Sequence, residues 1–367
     1  MKYILFVLLA ASQATAEVKP LMQDFFVLTD QLRPFIINQE TFLDSQNEKE
    51  IAKALEDFNQ KTIKLKTSKM TQSDDMKFRA KLLTEGLTEA HTAFKSGFKD
   101  YSYWALKATL NNCSSCHTQK GLVETHYTFK SNSTIDLYSK AEFLFIVRNY
   151  AEALPLFENL LINYPANKSS VEDVESSALK ILFYSVRVSR NNSATLEMFS
   201  RILKNEGLPA GLRNDIMAWR KYLNHKRYRV NEAQVIDSEK DLTEFMNSRE
   251  KISEAYRFTQ QRAAADMDTT YFLFRLLEKP DSKQLRPNLL YWLAKVERDY
   301  RISMFDQTSD NYLKECIEKY STHKIAKKCL SLYKEFQVMS YTGSRGTDLP
   351  KSVSSQLEAY EALVNKK

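Results

Sequence analysis

Residues Tyr101–Gly121 read YSYWALKATLNNCSSCHTQKG. Within them Tyr103, Leu106, Leu110, Cys113 and His117 recur at spacings of 3, 4, 3 and 4, the pattern of one inward face of an α-helix. The line ends in Cys113-Ser114-Ser115-Cys116-His117, a C-x-x-C-H motif. Positions i, i+3 and i+4 of a helix share a face, so both thiols and the imidazole address one object. The pattern is the attachment signature of a c-type haem. Cys113 and Cys116 would form thioether links to one haem, and His117 would be the proximal iron ligand. Because the motif continues a core-facing stripe, the group is expected inside a helical bundle, near the end of this helix. Gly121 is a suitable stop for that helix.

Other uses of Cys-x-x-Cys fit less well. A thioredoxin-like pair opens a helix after a strand in a βαβ unit, and nothing around Cys113 reads as strand. A structural zinc site wants a second pair of ligands, and the nearest candidate, His126, stands alone. The remaining alternative is two buried cysteines beside an unrelated histidine. The N-terminus favours haem. Met1–Ala16, MKYILFVLLAASQATA, has a cationic Lys2, an apolar run from Tyr3 to about Ala11, and Ala14-Thr15-Ala16 as an A-x-A cleavage site. That run is too short to span a bilayer. The sequence therefore predicts a signal peptide over residues 1–16, cleavage after Ala16, a periplasmic product and no membrane span.

Seven glycines and eight prolines in 367 residues are few, and period-2 strand patterns are scarce. The expected class is all-α. The formal net charge of +7, from 53 basic and 46 acidic residues, is too small and too scattered to argue for nucleic acid. Four helices are predicted after the signal. The first runs from about Pro20 to Ile37, with Leu21, Phe25, Leu28, Leu32 and Phe35 inward. The second covers Glu48–Leu65, with Ile51, Leu55, Phe58, Ile63 and Leu65. The third covers Asp75–Phe98, with Leu83, Leu87, Ala90 and Phe94. The fourth starts near Tyr101.

Four helices with C-x-x-C-H late in the fourth resemble the class II cytochromes c, the family of cytochrome c′ and its low-spin relatives. The resemblance spans Glu17–Lys130, and its specific part is the Cys113–His117 motif and its position. It implies a distal methionine near the start of helix one in low-spin members, which here is Met22. In cytochromes c′ that position does not ligate, and the iron stays five-coordinate and open to small gases. Met22 is thus either the distal iron ligand or a packing residue. Met70 and Met76 are less well placed, and His91 falls one residue off the inward stripe.

From about residue 131 the pattern changes. Leu137, Ala141, Leu144, Tyr150, Ala153, Phe157, Leu160 and Pro165 resemble one tetratricopeptide repeat. A lone repeat cannot bury its own face, and degenerate helical neighbours continue to about residue 341. The expected organisation is a signal peptide (1–16), a haem domain (17–130), a tetratricopeptide-like α-solenoid (131–341), and a loop with a C-terminal helix (342–367). Cys316 and Cys329 fall on apolar stripes of successive helices. In an oxidising compartment they suit a disulfide clamping the hairpin, the alternative being two buried thiols. Arg220–Arg229 is the densest basic stretch, either a dock for an acidic redox partner or a solvated helix end.

The function expected is electron transfer through one covalent haem, with the solenoid holding a partner protein or peptide. The competing expectations are a five-coordinate haem that binds NO or CO, and a haem-free helical scaffold. No enzymatic activity is expected, because a peroxidase needs a distal acid–base residue and the sequence nominates none. Class II bundles pair as dimers, so a homo-oligomer is a further expectation unless the solenoid blocks that interface.

Overall fold

The computed structural model describes residues 20–67, 74–119, 135–256, 259–298, 308–344 and 346–366. The chain is all-α. Among the described residues the only strands are the two-residue pair Thr342–Gly343 and Gly346–Thr347. Two compact units divide the chain, the first ending at Ser177 and the second beginning at Ala178. The expected signal peptide, residues 1–16, and the expected boundary at 130/131 lie outside the described residues. Among the described residues no helix is long and apolar enough to cross a membrane.

In the first unit, α1 (20–36) buries Phe25, Leu28, Leu32 and Phe35 at the predicted spacing. The short α2 (Gln39–Leu43) is N-capped by Asn38, whose side chain accepts from Thr41 N–H. Its Phe42 lies 5.4 Å from each of the Phe94 and Tyr103 rings, plugging the turn between the two helices that carry them. These are α4 (Asp74–Lys95) and α5 (Lys99–Gln119), and α3 (Glu48–Thr67) packs on α4. Helix α4 stops three residues short of the expected Phe98. Gly97 adopts φ +85°, its N–H bonds Phe94 C=O and that of Phe98 bonds Ala93 C=O, a Schellman stop that glycine makes without strain.

Two stripe positions differ from expectation. Ile63 is 43% exposed, whereas Thr62 is fully buried. Thr62 keeps the 4, 3, 4, 3 line Ile51, Leu55, Phe58, Thr62, Leu65, and its hydroxyl is satisfied by donating to Asn59 C=O at 2.8 Å. On α4 the inward place goes to Leu82 rather than the half-buried Leu83.

The antiparallel pair α6 (Leu137–Ile146) and α7 (Tyr150–Ile162) follows. Ala141 and Ala153 are fully buried, and Phe145 meets Tyr150 and Phe157 at 5.1 and 6.0 Å. An ion pair ties this pair to α5. Lys107 Nζ lies 2.5 Å from Glu142 Oε2 with both side chains about nine-tenths buried. Tyr138 donates to Glu142 at 3.2 Å, and its oxygen lies 2.9 Å from Ser176 Oγ, whose hydroxyl can donate to it. Burial opposes the charge on Lys107, but the Glu142 carboxylate, with Tyr103 and Tyr138, outweighs it and holds the amine above its ordinary pKa.

Helix α8 (Val171–Phe183) continues as a wide helical turn, Tyr184–Ser189. The second unit then runs through α9 (Asn192–Ile202), α10 (Ala210–Asn224), α11 (Glu239–Glu254), α12 (Thr259–Leu277), α13 (Arg286–Glu297), α14 (Thr308–Lys319), α15 (Ala326–Ser340) and α16 (Lys351–Asn365). Neighbours in sequence pack on one another from α11 onward, and α10 packs on α12. Helix α12 carries the polar centre. Asp268, 1% exposed, accepts from Arg190 Nη1 at 2.7 Å, Tyr222 OH at 2.7 Å and Val230 N–H at 2.8 Å. Arg249 donates to Tyr222 OH, Tyr228 C=O and Thr269 Oγ1. Arg190 sits at φ +54°, a left-handed conformation that its bonds to Val186 C=O and Asp268 hold in place. Cys316 on α14 and Cys329 on α15 are fully buried and joined by a disulfide, with Cα atoms 6.4 Å apart.

Two stability outcomes follow. Glu142→Gln leaves Lys107 buried without its counter-charge and should cost about 3–5 kcal/mol in urea unfolding followed by circular dichroism. The paired change Lys107→Met with Glu142→Leu should recover most of that loss. Replacing both Cys316 and Cys329 by alanine opens a short loop and should lower unfolding free energy by about 3 kcal/mol, with no further loss on adding reductant.

Candidate haem-attachment site

Helix α5 begins with Asp100 in its first turn, where a carboxylate suits the helix dipole. From Ser102 to Leu110 every residue except Trp104 is buried. The helical backbone continues to Gln119, so positions 113, 116 and 117 fall at i, i+3 and i+4 within its last two turns. The side chains of Cys113, Cys116 and His117 lie outside the described residues, as do Met70, Gly121 and His126 altogether.

The register of the neighbouring helices shows what stands beside that end of α5. Ser102 Oγ donates to Ala90 C=O at 2.7 Å, and a Cβ on Gly86 would lie 2.3 Å from Thr109 Oγ1. Helices α4 and α5 are therefore antiparallel, with a close approach at Gly86 and Thr109. Thr84 Oγ1 donates to Thr62 C=O at 3.2 Å and Thr88 Oγ1 to Asn59 Oδ1 at 2.9 Å, which together set α3 antiparallel to α4. Asp24 pairs with Lys61 at 2.5 Å, and the Phe25 and Phe58 rings are 5.6 Å apart, which sets α1 antiparallel to α3. The C-terminal end of α5 thus shares one end of the unit with the start of α1, the end of α3 and the start of α4.

Gathered at that end are Met22 and Met76, both half-buried, and the buried Phe25, Leu65, Phe78, Arg79 and Leu82. Met22 stands in the first turn of α1, at this end. Met76, in the first turn of α4, shares the same end, which the sequence pattern alone did not reveal. His91 does not. It lies 12 residues beyond Arg79 on α4, about 18 Å along the axis, near the opposite end. Its ring is half-buried and its pKa is lowered, first by burial and then by Lys95. The donor chemistry at the α5 end fits a haem of the c type: two thiols and an imidazole on one helical repeat, with thioethers and apolar side chains at the same end.

The basic stretch behaves differently from a plain solvated turn. Lys221, His225, Lys226 and Arg227 are exposed, while Tyr222, Tyr228 and Val230 are gripped from beneath by Asp268 and Arg249. His225 stacks on Tyr228 with centroids 3.9 Å apart. The loop is a fixed shelf of cations.

Thr109 Oγ1 is held by its own bond to Ala105 C=O at 2.7 Å, so it does not yield cheaply to a methyl group at position 86. Gly86→Ala should cost about 1–3 kcal/mol, and Gly86→Ala with Thr109→Ala should restore most of it in thermal unfolding.

The assignment rests on the motif and this register alone: no protein-family model matches the chain, and no curated protein or solved structure is significantly similar to it.

Proposed function

We propose that this chain is an exported c-type cytochrome of the class II kind, carrying one covalent haem on Cys113 and Cys116 with His117 as the proximal ligand. The observation that carries the reading is the C-x-x-C-H motif on the last two turns of α5, at an end where the starts of α1 and α4 also stand. When bound, the haem iron would accept one electron from a reduced redox protein and pass it to an oxidised one. The chain's own residues would bind and shield: the two cysteines and the histidine would hold the group, Phe25, Phe78 and Leu82 at the same end would keep water from it, and Met22 would offer a thioether to the iron. Burial and the distal ligand are the levers on potential. The leader Met1–Ala16 would direct export to the periplasm, where haem attachment occurs. The tetratricopeptide-like array expected over residues 131–341 would hold a partner protein or peptide, as such arrays do.

The test is the absorption spectrum of the mature protein made with haem-c maturation machinery, oxidised and reduced, with and without CO. A low-spin reduced spectrum unmoved by CO supports electron transfer with a methionine ligand. Met22→Ala should then convert it to a CO-binding form, and if Met76→Ala does so instead, the ligand is Met76. A high-spin spectrum that shifts with CO supports gas binding. Haem that is absent from wild type, or that persists in Cys113→Ser/Cys116→Ser, overturns the proposal.

A further inference from the structure

From Ile216 to Asn231 the chain carries five lysines and arginines and no aspartate or glutamate. Lys221, Lys226 and Arg227 are exposed, and Arg220 and Arg229 are half-buried. Elsewhere on the surface Lys53, Lys99, Lys295 and Lys334 each reach a carboxylate. Among the described residues none of these five does so, and the Nε atoms of Arg220 and Arg229 are enclosed with no hydrogen-bond partner. The acids that stand closest are committed: Glu232 to Arg190 at 2.6 Å, and Asp268 to Arg190, Tyr222 and Val230. The carbonyl end of α10 favours a cation in its last turn. That accounts for Lys221 and not for Lys226, Arg227 and Arg229 beyond it.

The loop cannot relieve this repulsion by swinging its cations apart. Asp268 holds Tyr222 OH before the loop and Val230 N–H after it, and Arg249 holds Tyr228 C=O within it. A surface fixed in this way has little ordering left to lose when a partner arrives. A carboxylate-rich face relieves the repulsion, and the arginine forks match carboxylates in shape. Other polyanions fit less well. Single-stranded nucleic acid wants an open ring to stack on, and Tyr228 is already stacked on His225 at 3.9 Å and against Tyr222 at 6.5 Å. An anionic membrane wants apolar side chains beside the cations, and Tyr222, Leu223 and Val230 are buried. We propose that the shelf from Arg220 to Arg229 is where the partner protein docks, through an acidic segment of its own; the inference rests on the reading of residues 131–341 as a partner-holding array.

The experiment measures binding of a fluorescein-labelled decaglutamate peptide to the whole matured protein by anisotropy. The shelf variant is Lys221→Gln/Lys226→Gln/Arg227→Gln. The control is Lys327→Gln/Lys328→Gln/Lys351→Gln, which removes the same charge from exposed lysines elsewhere. The shelf variant should bind about tenfold more weakly, and the control should change less than about threefold. Raising ionic strength from about 0.01 to about 0.1 M shortens the screening length from about 30 to about 10 Å and should weaken wild type severalfold. No peptide binding by wild type, or equal loss in the two variants, overturns the proposal. So does pelleting with phosphatidylglycerol vesicles that the shelf variant loses while its peptide binding is unchanged, which makes the occupant lipid. In-cell crosslinking reads the array separately. A wild-type adduct that persists in the shelf variant overturns the shelf alone, and no adduct overturns the partner-holding reading itself.

Discussion

The close approach of Gly86 to Thr109 governs the first unit. A Cβ at position 86 would lie 2.3 Å from Thr109 Oγ1, which is tied to Ala105, so either the Thr109 side chain or the helix would have to shift. Contact at that one point fixes how far α5 is slid along α4. The slide decides which residues of α4 stand level with Cys113–His117. Aromatic packing of Phe42 against Phe94 and Tyr103 pins the other end, so the two helices are held at both turns. The arrangement costs helix propensity at Gly86, about 1 kcal/mol relative to alanine, and returns a register that a longer side chain would abolish.

Each unit is built around a buried charge with its partners supplied from distant sequence. Lys107 and Glu142 are 35 residues apart and meet between α5 and α6. Asp268 gathers Arg190, Tyr222 and Val230 onto α12. Such pairs add little net stability over a well-packed apolar set, but removing one member is expensive. The tyrosines that share these networks remain neutral: burial, then the nearby carboxylates, pushes Tyr138 and Tyr222 well above their ordinary pKa values. These centres act as keys of registry. Hydrophobic stripes tolerate a slipped helix, whereas Asp268 has only one set of donors that fits.

The helices themselves were legible because burial imposes a period. The α1 stripe from Phe25 to Phe35 and the α5 stripe from Tyr103 to Leu110 are buried as the sequence predicts, and Cys316 and Cys329 were readable as a pair because each lies on such a stripe, in a compartment inferred to be oxidising. Where the code failed, the reason was polar residues in apolar positions. Thr62 was passed over for Ile63, since hydropathy ranks isoleucine first, yet threonine can bond its own helix and keep the phase. Arg79 was invisible for the same reason: a charge within an inward line looks like an interruption. The Lys107–Glu142 and Asp268 contacts are long-range, and no local pattern announces which charge will find which partner. Met76 was discounted because its helix start was read a residue late and its end was not yet known to be shared with α5.

From Ser102 to Leu110 helix α5 has almost no free surface, and this bears on why the motif sits where it does. One line, Leu106 and Leu110, faces the bundle, while Lys107 turns to α6. Trp104 is the exposed exception, with its indole against Tyr103 at 5.2 Å and the Lys107 amine at 5.3 Å. A helix enclosed on several sides cannot tilt or rotate without breaking contacts on each of them. A rigid stalk is what the proposed covalent group would need at its tip, because two thioether links and one imidazole bond would have to be satisfied together. Carrying C-x-x-C-H on a helix enclosed from Ser102 to Leu110, rather than on a loop, would place the attachment geometry under the control of the core.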